Sequence, residues 1–188
     1  MATLTWVGTT DAVAQISTAT PANVNIGDTF KLTIGGETVS FVATADNVAN
    51  ACAGLVAAFQ ASTHPYFRAI TATDSTTTVT LTAIVLGVPF TCTSSIIDGA
   101  GGAAPTLTMA TPTVNVGPNV LTTPGNWDTG AIPVNNDHVV FTGDTPNVCW
   151  ELDGLTGVTI DSITVEQSYT GRIGLNSRRF ATSANGKS

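Results

Sequence analysis

Two histidines, three cysteines and thirteen carboxylates are the side chains of this chain suited to acid–base, nucleophilic or metal chemistry. His64 stands in a Thr-His-Pro-Tyr turn and His138 in Asn-Asp-His-Val-Val, and neither has a second histidine or a cysteine at the spacing a zinc site needs. Cys52, Cys92 and Cys149 form no Cys-x-x-Cys pair, so they read as small apolar core residues. A single Cys52–Cys92 bridge stays open. No Gly-x-Ser-x-Gly elbow is present. The glycines at 99, 101 and 102 follow Asp98, which would repel a phosphate, and open no helix. Asp137, Asp144, Glu151, Asp153, Asp161 and Glu166 are candidates for a glycosidase pair, which needs two carboxyls about 5–9.5 Å apart in a cleft. Asp128, Asp137 and Asp144 instead adjoin Gly, Asn or Thr, where turns use Asp for local hydrogen bonds. Asp128, Asn135, Asn136 and Asp137 are hard oxygen donors for calcium but lack EF-hand spacing. Trp6, Trp127 and Trp150 suit either sugar platforms or packing anchors, and Trp127, between Asn126 and Asp128, reads as a cap on the end of a second region. The sequence thus assigns no catalytic, cofactor-binding or metal residue and predicts a protein that is not an enzyme and needs no cofactor.

What remains is a scaffold, and its composition is that of strands. Hydrophobic residues make up 43% and charged residues 10%, enough apolar material for a core. Thirty-four threonines, many alternating with Val, Leu or Ile, favour pleated surfaces. Residues 1–167 hold Lys31 and Arg68 against all 13 acids, whereas 168–188 hold Arg172, Arg178, Arg179 and Lys187 and no acid. An acidic body repels phosphate, which argues against nucleic acid as a ligand. No stretch reaches the roughly 18–20 apolar residues that span a bilayer, so no membrane partner is expected. Met1–Val7 has neither a basic segment nor a continuous apolar run, as a leader would, and the expected site of synthesis is the cytoplasm.

The expected fold class is mainly β. Residues 1–116 form a β-sandwich-like module with one helix, 117–175 a short β-solenoid-like region, and 176–188 a basic tail. In the module, Thr29–Ile34 and Glu37–Val42 alternate around Gly35-Gly36, a hairpin signal. Asp46 is the expected N-cap of a helix over about 47–61, with Val48, Cys52, Leu55, Val56 and Phe59 as its apolar stripe. Strands are expected over 69–73, 77–83, 90–94 and 106–111, then a linker over 112–120. Beyond it the apolar runs shorten to Val139–Phe141, Val158–Ile160, Ile163–Val165 and Ile173–Leu175, each broken by Gly, Asp or Asn. Short strands with frequent corners suggest solenoid turns, which cannot bury their apolar face alone.

The segments TLTWVG, PANVNIGDTFKLTIGGETVSFVAT, ANACAGLVAAFQAS and AITATDSTTTVTLTA resemble a module of phage virion and bacterial surface proteins. GNWDTGAIPVNNDHVVF resembles the opening of the right-handed β-solenoids in similar phage and adhesin proteins, and VTIDSITVEQSYTGRIGL looks like a first rung. The resemblance implies a virion structural protein of the capsid decoration, tail or fibre-base kind, located in the virion and joined to other copies of itself and other virion proteins as a homo-oligomer within a larger particle. It equally admits a bacterial surface or secreted adhesion or carbohydrate-binding module. The residues expected at an assembly interface are Trp127, Phe141, Ile163, Ile173, Leu175, Arg178 and Arg179.

Overall fold

A computed structural model describes residues 1–99 and 101–175 of the chain. The fold is mainly β, as expected, and divides into two compact units. One is continuous, Asp11–Gly117; the other joins Met1–Thr10 to the segment from Pro118 onward. The expected module of residues 1–116 therefore gives up its first ten residues. The cause is apolar burial: Leu4 and Trp6 belong to the core of the other unit.

Strand β1 is Thr3–Thr5 and lies in that discontinuous unit. In the unit 11–117, β2 (Ile16–Ala22), β3 (Thr29–Ile34), β4 (Glu37–Val42), α1 (Val48–Ala61), a short α2 (Pro65–Arg68), β5 (Ile70–Ser75), β6 (Thr78–Ala83), β7 (Cys92–Ile97) and β8 (Thr106–Thr113) follow in order. They form two antiparallel sheets, β5-β6-β2-β8 and β4-β3-β7. Both sheets and α1 bury one core that includes Phe30, Leu32, Leu55, Phe59, Val79 and Leu81, with Phe41 packed against it.

The hairpin lies where the alternation put it. Thr29 pairs with Val42 and Ile34 with Glu37, and the turn residues Gly35 and Gly36 take φ of +60° and +90°, which glycine alone adopts without cost. A Cβ on Gly35 would also meet the Tyr66 ring. The helix starts one residue later than Asp46 would set it. Asn47 is the cap, its side chain accepting from the Asn50 amide at 2.8 Å, while the Asp46 carboxylate accepts the Ile26 amide at 2.6 Å. A bond to a distant loop has displaced the local one. His64 caps α2, with Pro65 in the first turn. Strand β7 begins two residues beyond the expected 90, because the side chain of the buried Gln15 takes both backbone groups of Phe90. The two ends of the unit are held together by the antiparallel bridge Val13–Val116, with Val13 N–H donating to Val116 at 2.7 Å.

Two local features bear on the stability of this unit. Gly54 faces the Phe41 ring so closely that a Cβ there would lie 2.3 Å from it. Asp28 is fully buried and accepts from the amides of Asn25 (2.8 Å) and Gly99 (2.9 Å), tying two loops together. The Gly99 amide chiefly, with help from Asn25, holds its carboxyl below the usual range against the opposing effect of burial.

Gly54→Ala, which in an exposed helix gains stability, is therefore expected to lower the midpoint of thermal unfolding, and Leu55→Ala to cost about 2–5 kcal/mol in denaturant unfolding. The depressed Asp28 value means its contribution is present above the unfolded carboxyl pKa of about 3.9 and is lost as pH falls through the lower folded value. Asp28→Asn should lower the thermal midpoint at pH 6, and the difference from the parent chain should shrink as pH falls below about 3.9, as calorimetry across that range will read.

Candidate functional site

The discontinuous unit is built on three parallel strands in the order β1-β9-β10, where β9 is His138–Phe141 and β10 is Ser162–Val165. Thr3, Leu4 and Thr5 pair with His138, Val139 and Val140, and Ser162–Val165 pairs with His138–Phe141 residue for residue. Two further parallel bridges, Val120–Trp150 and Val148–Ile173, lie outside the named strands. The expected strand at Val158–Ile160 does not form; those residues approach β9 as a loop, with Asn136 N–H donating to Thr159. Side-chain links recur at separations of 24 to 26 residues: His138 to Ser162, Thr142 to Glu166, Asn135 to Thr159, Asp144 to Thr170 and Asn147 to Arg172.

The core under this ladder is Leu4, Trp6, Leu121, Trp127, Val139, Phe141 and Val148. Trp6 and Trp127 meet edge to face at 5.2 Å, and each indole N–H is satisfied by a carbonyl, Pro146 at 2.9 Å and Leu121 at 3.0 Å. Buried in this way, neither is a sugar platform.

Most of the candidate carboxylates are taken up by partners of their own. Asp137 is buried and accepts the amides of Ala2 (2.8 Å) and Val134 (3.0 Å). The Val134 amide first and the Ala2 amide second hold it below the usual carboxylate range. Asp128 accepts the Thr5 amide at 2.9 Å while its own N–H donates to the Thr5 carbonyl at 3.0 Å. Glu151 takes the hydroxyl of Thr122, and burial, then the neighbouring Asp153, pushes its carboxyl up. Asp144 takes the hydroxyl of Thr170, and Glu166 those of Thr142 and Ser168. The candidate calcium donors are spent the same way, since Asn135 accepts the Thr159 amide at 2.7 Å. Among the described residues no group of three His, Cys, Asp or Glu is placed to hold a metal ion.

One constellation has the composition of a catalytic triad: His138, Ser162 and Asp161. Both the Ser162 hydroxyl and the Asp161 carboxylate (3.4 Å) meet the same ring nitrogen, Nδ1. A relay needs the serine on one nitrogen and the carboxylate on the other, so that one orients while the other takes the proton. In this geometry the cluster ties β9 to β10 and is not arranged as a relay. The cysteines are free, and burial pushes both Cys52 and Cys92 up to about 11, leaving them as unreactive thiols at neutral pH.

What stands out is a surface. Every residue of β10 is exposed, including Ile163 (63%) and Val165 (53%), which sit in register on the buried Val139 and Phe141. Ile173, Leu175 and Leu152 continue the exposed apolar set. Of the residues expected at an interface, Ile163, Ile173 and Leu175 are therefore on the surface. Trp127 and Phe141 are interior, because β1 brings Leu4 and Trp6 across to cover them, a partner absent from any local reading of 117–175. Arg178 and Arg179 lie outside the described residues. No helix among those residues is long and apolar enough to cross a membrane. No protein-family model and no curated protein matches the chain.

Removing the Trp6 side chain empties the middle of this core, so Trp6→Ala is expected to cost about 3–5 kcal/mol and to release β1. Hydrogen exchange at the amides of Leu4 and Trp6 should then rise to unprotected rates, while those of β3 and β6 stay slow.

Proposed function

We propose that the protein is a non-enzymatic structural component of a bacteriophage particle, of the capsid decoration, tail or fibre-base kind, and that it acts through protein–protein assembly with other copies and other virion proteins. The observation that carries the proposal is the uncovered strand β10: four exposed residues in register on β9, with Ile163 and Val165 stacked on the buried Val139 and Phe141, and Ile173 and Leu175 also exposed. Apolar side chains presented in register at the end of a ladder are the form of an interface awaiting its cover. On this view the ladder is the first turns of a β-solenoid, with links repeating every 24 to 26 residues, and the antiparallel sheets of 11–117 are a separate sandwich module. The carboxylates support the same conclusion, since those of Asp128 and Asp137 are used up on backbone amides of β1 and its surroundings. The resemblance of TLTWVG and GNWDTGAIPVNNDHVVF to segments of virion proteins points the same way.

The test is fractionation. A tagged copy expressed in a cell producing phage should band with the particles on a density gradient, and Ile163→Asp should reduce its incorporation at least tenfold while leaving the level of folded protein unchanged. Recovery of the chain in cell envelopes instead, with none in particles, would assign it to bacterial surface adhesion.

A further inference from the structure

The proposed assembly surface has a geometry that selects its partner. In a parallel ladder the backbone groups of alternate residues face opposite neighbours. Glu166 N–H donates to Phe141 across the β9 side and Ser162 pairs with His138, so within β10 the groups of Ser162 and Thr164 face β9 and those of Ile163 and Val165 face outward. No strand among the described residues pairs with that outer edge. The opposite edge of the same sheet is different. Thr5 on β1 has its outward N–H and C=O both taken, by the Asp128 carboxylate and the Asp128 amide. A negative side chain folded over an edge strand blocks the approach of another strand. Head-to-tail stacking of β10 on the β1 of the next copy is thereby closed off, and the arrangement that satisfies two identical open edges is a twofold one.

We propose that β10 pairs antiparallel with β10 of a second copy about a twofold axis through Thr164, giving a closed homodimer; this rests on the assembly role proposed above. In that register Ile163 stands opposite Val165 of the partner subunit and the two residues exchange both backbone hydrogen bonds, a pair of β-branched side chains. The two Thr164 residues meet at the axis as the close non-hydrogen-bonded pair. Charge agrees with the register. Asp161 faces a glutamine, Gln167, and Glu166 faces a serine, Ser162. A shift by one residue would set Asp161 against Glu166 and turn the two apolar files to opposite faces. Burial of the exposed Ile163 and Val165 of both copies supplies association energy that the backbone hydrogen bonds alone would not.

Sedimentation equilibrium of the full-length chain, from about 1 to 300 µM, tests the pairing. The expected result is a reversible shift from the 19.1 kDa chain to twice that mass and no further. Val165→Pro removes one outward N–H beside the axis, a position where an edge strand tolerates proline. It should weaken dimerisation at least thirtyfold while the thermal midpoint of the dilute monomer changes little. Ile163→Lys should act in the same direction by burying a cation against Val165 of the partner subunit. A chain that stays monomeric at 300 µM, that forms trimers or open-ended polymers, or that dimerises equally well as Val165→Pro overturns the proposal. The outcomes separate from those for function. Incorporation into particles by a chain that fails to self-pair sinks the twofold pairing alone, whereas a dimer found only in cell envelopes sinks the virion role and leaves the pairing standing.

Discussion

The outer backbone groups of a parallel sheet need partners, and in this protein two aspartates supply them around β1. Asp137 holds the Ala2 amide from the β9 side and Asp128 holds both groups of Thr5 from the other. These bonds fix the first residues of the chain across a region that begins more than a hundred residues later. Once β1 is fixed, Trp6 can reach Trp127 and Phe141, and the small core of the unit closes. Each carboxylate accepts amides from segments it is not local to, which is costly to leave unmade and hard to satisfy in any other register. Asp128 and Asp137, which look like potential catalysts, are therefore better understood as backbone partners, and the low proton affinity of Asp137 follows from the amides that point at it.

The parts of the fold that were legible from sequence are those whose periodicity is local. Thr29–Ile34, Gly35-Gly36 and Glu37–Val42 carry large residues at every second position and a turn that demands positive φ, and they form the hairpin at those bounds. The helix shows its stripe equally well, and only its cap was misplaced, because the Asp46 oxygen is drawn to Ile26. Strand β2 gave no such signal. Its inward positions are Ser17, Ala19 and Pro21, all small, yet it is a central strand between β6 and β8. Pro21 is tolerated there because pairing with β6 ends at Ala19.

The assembly surface was half legible, and the reason is again distance along the chain. Ile163, Ile173 and Leu175 read as apolar residues with too little around them, and they are exposed. Trp127 and Phe141 read the same way, but their cover comes from Leu4 and Trp6, which no period or motif links to them. A short ladder thus has one finished end and one unfinished end. The finished end is made by a non-local strand, and the unfinished one is visible in sequence because nothing local completes it.

The Val13–Val116 bridge bears on the order of events during folding. A nascent chain emits β1 first, with Leu4 and Trp6 uncovered, and synthesises β9 only after the whole of 11–117 has emerged. Folding of that intervening unit brings residues 13 and 116 side by side, shortening the effective loop between β1 and β9 roughly fourfold and saving about 1 kcal/mol of closure entropy. The larger gain is in timing: β1 waits for a partner that becomes a near neighbour only when the inserted sheets have closed. A lesion in the inserted core, far from either tryptophan, would then be felt as a delay in completing the ladder, with the apolar N-terminus left open to misassociation for as long as that delay lasts.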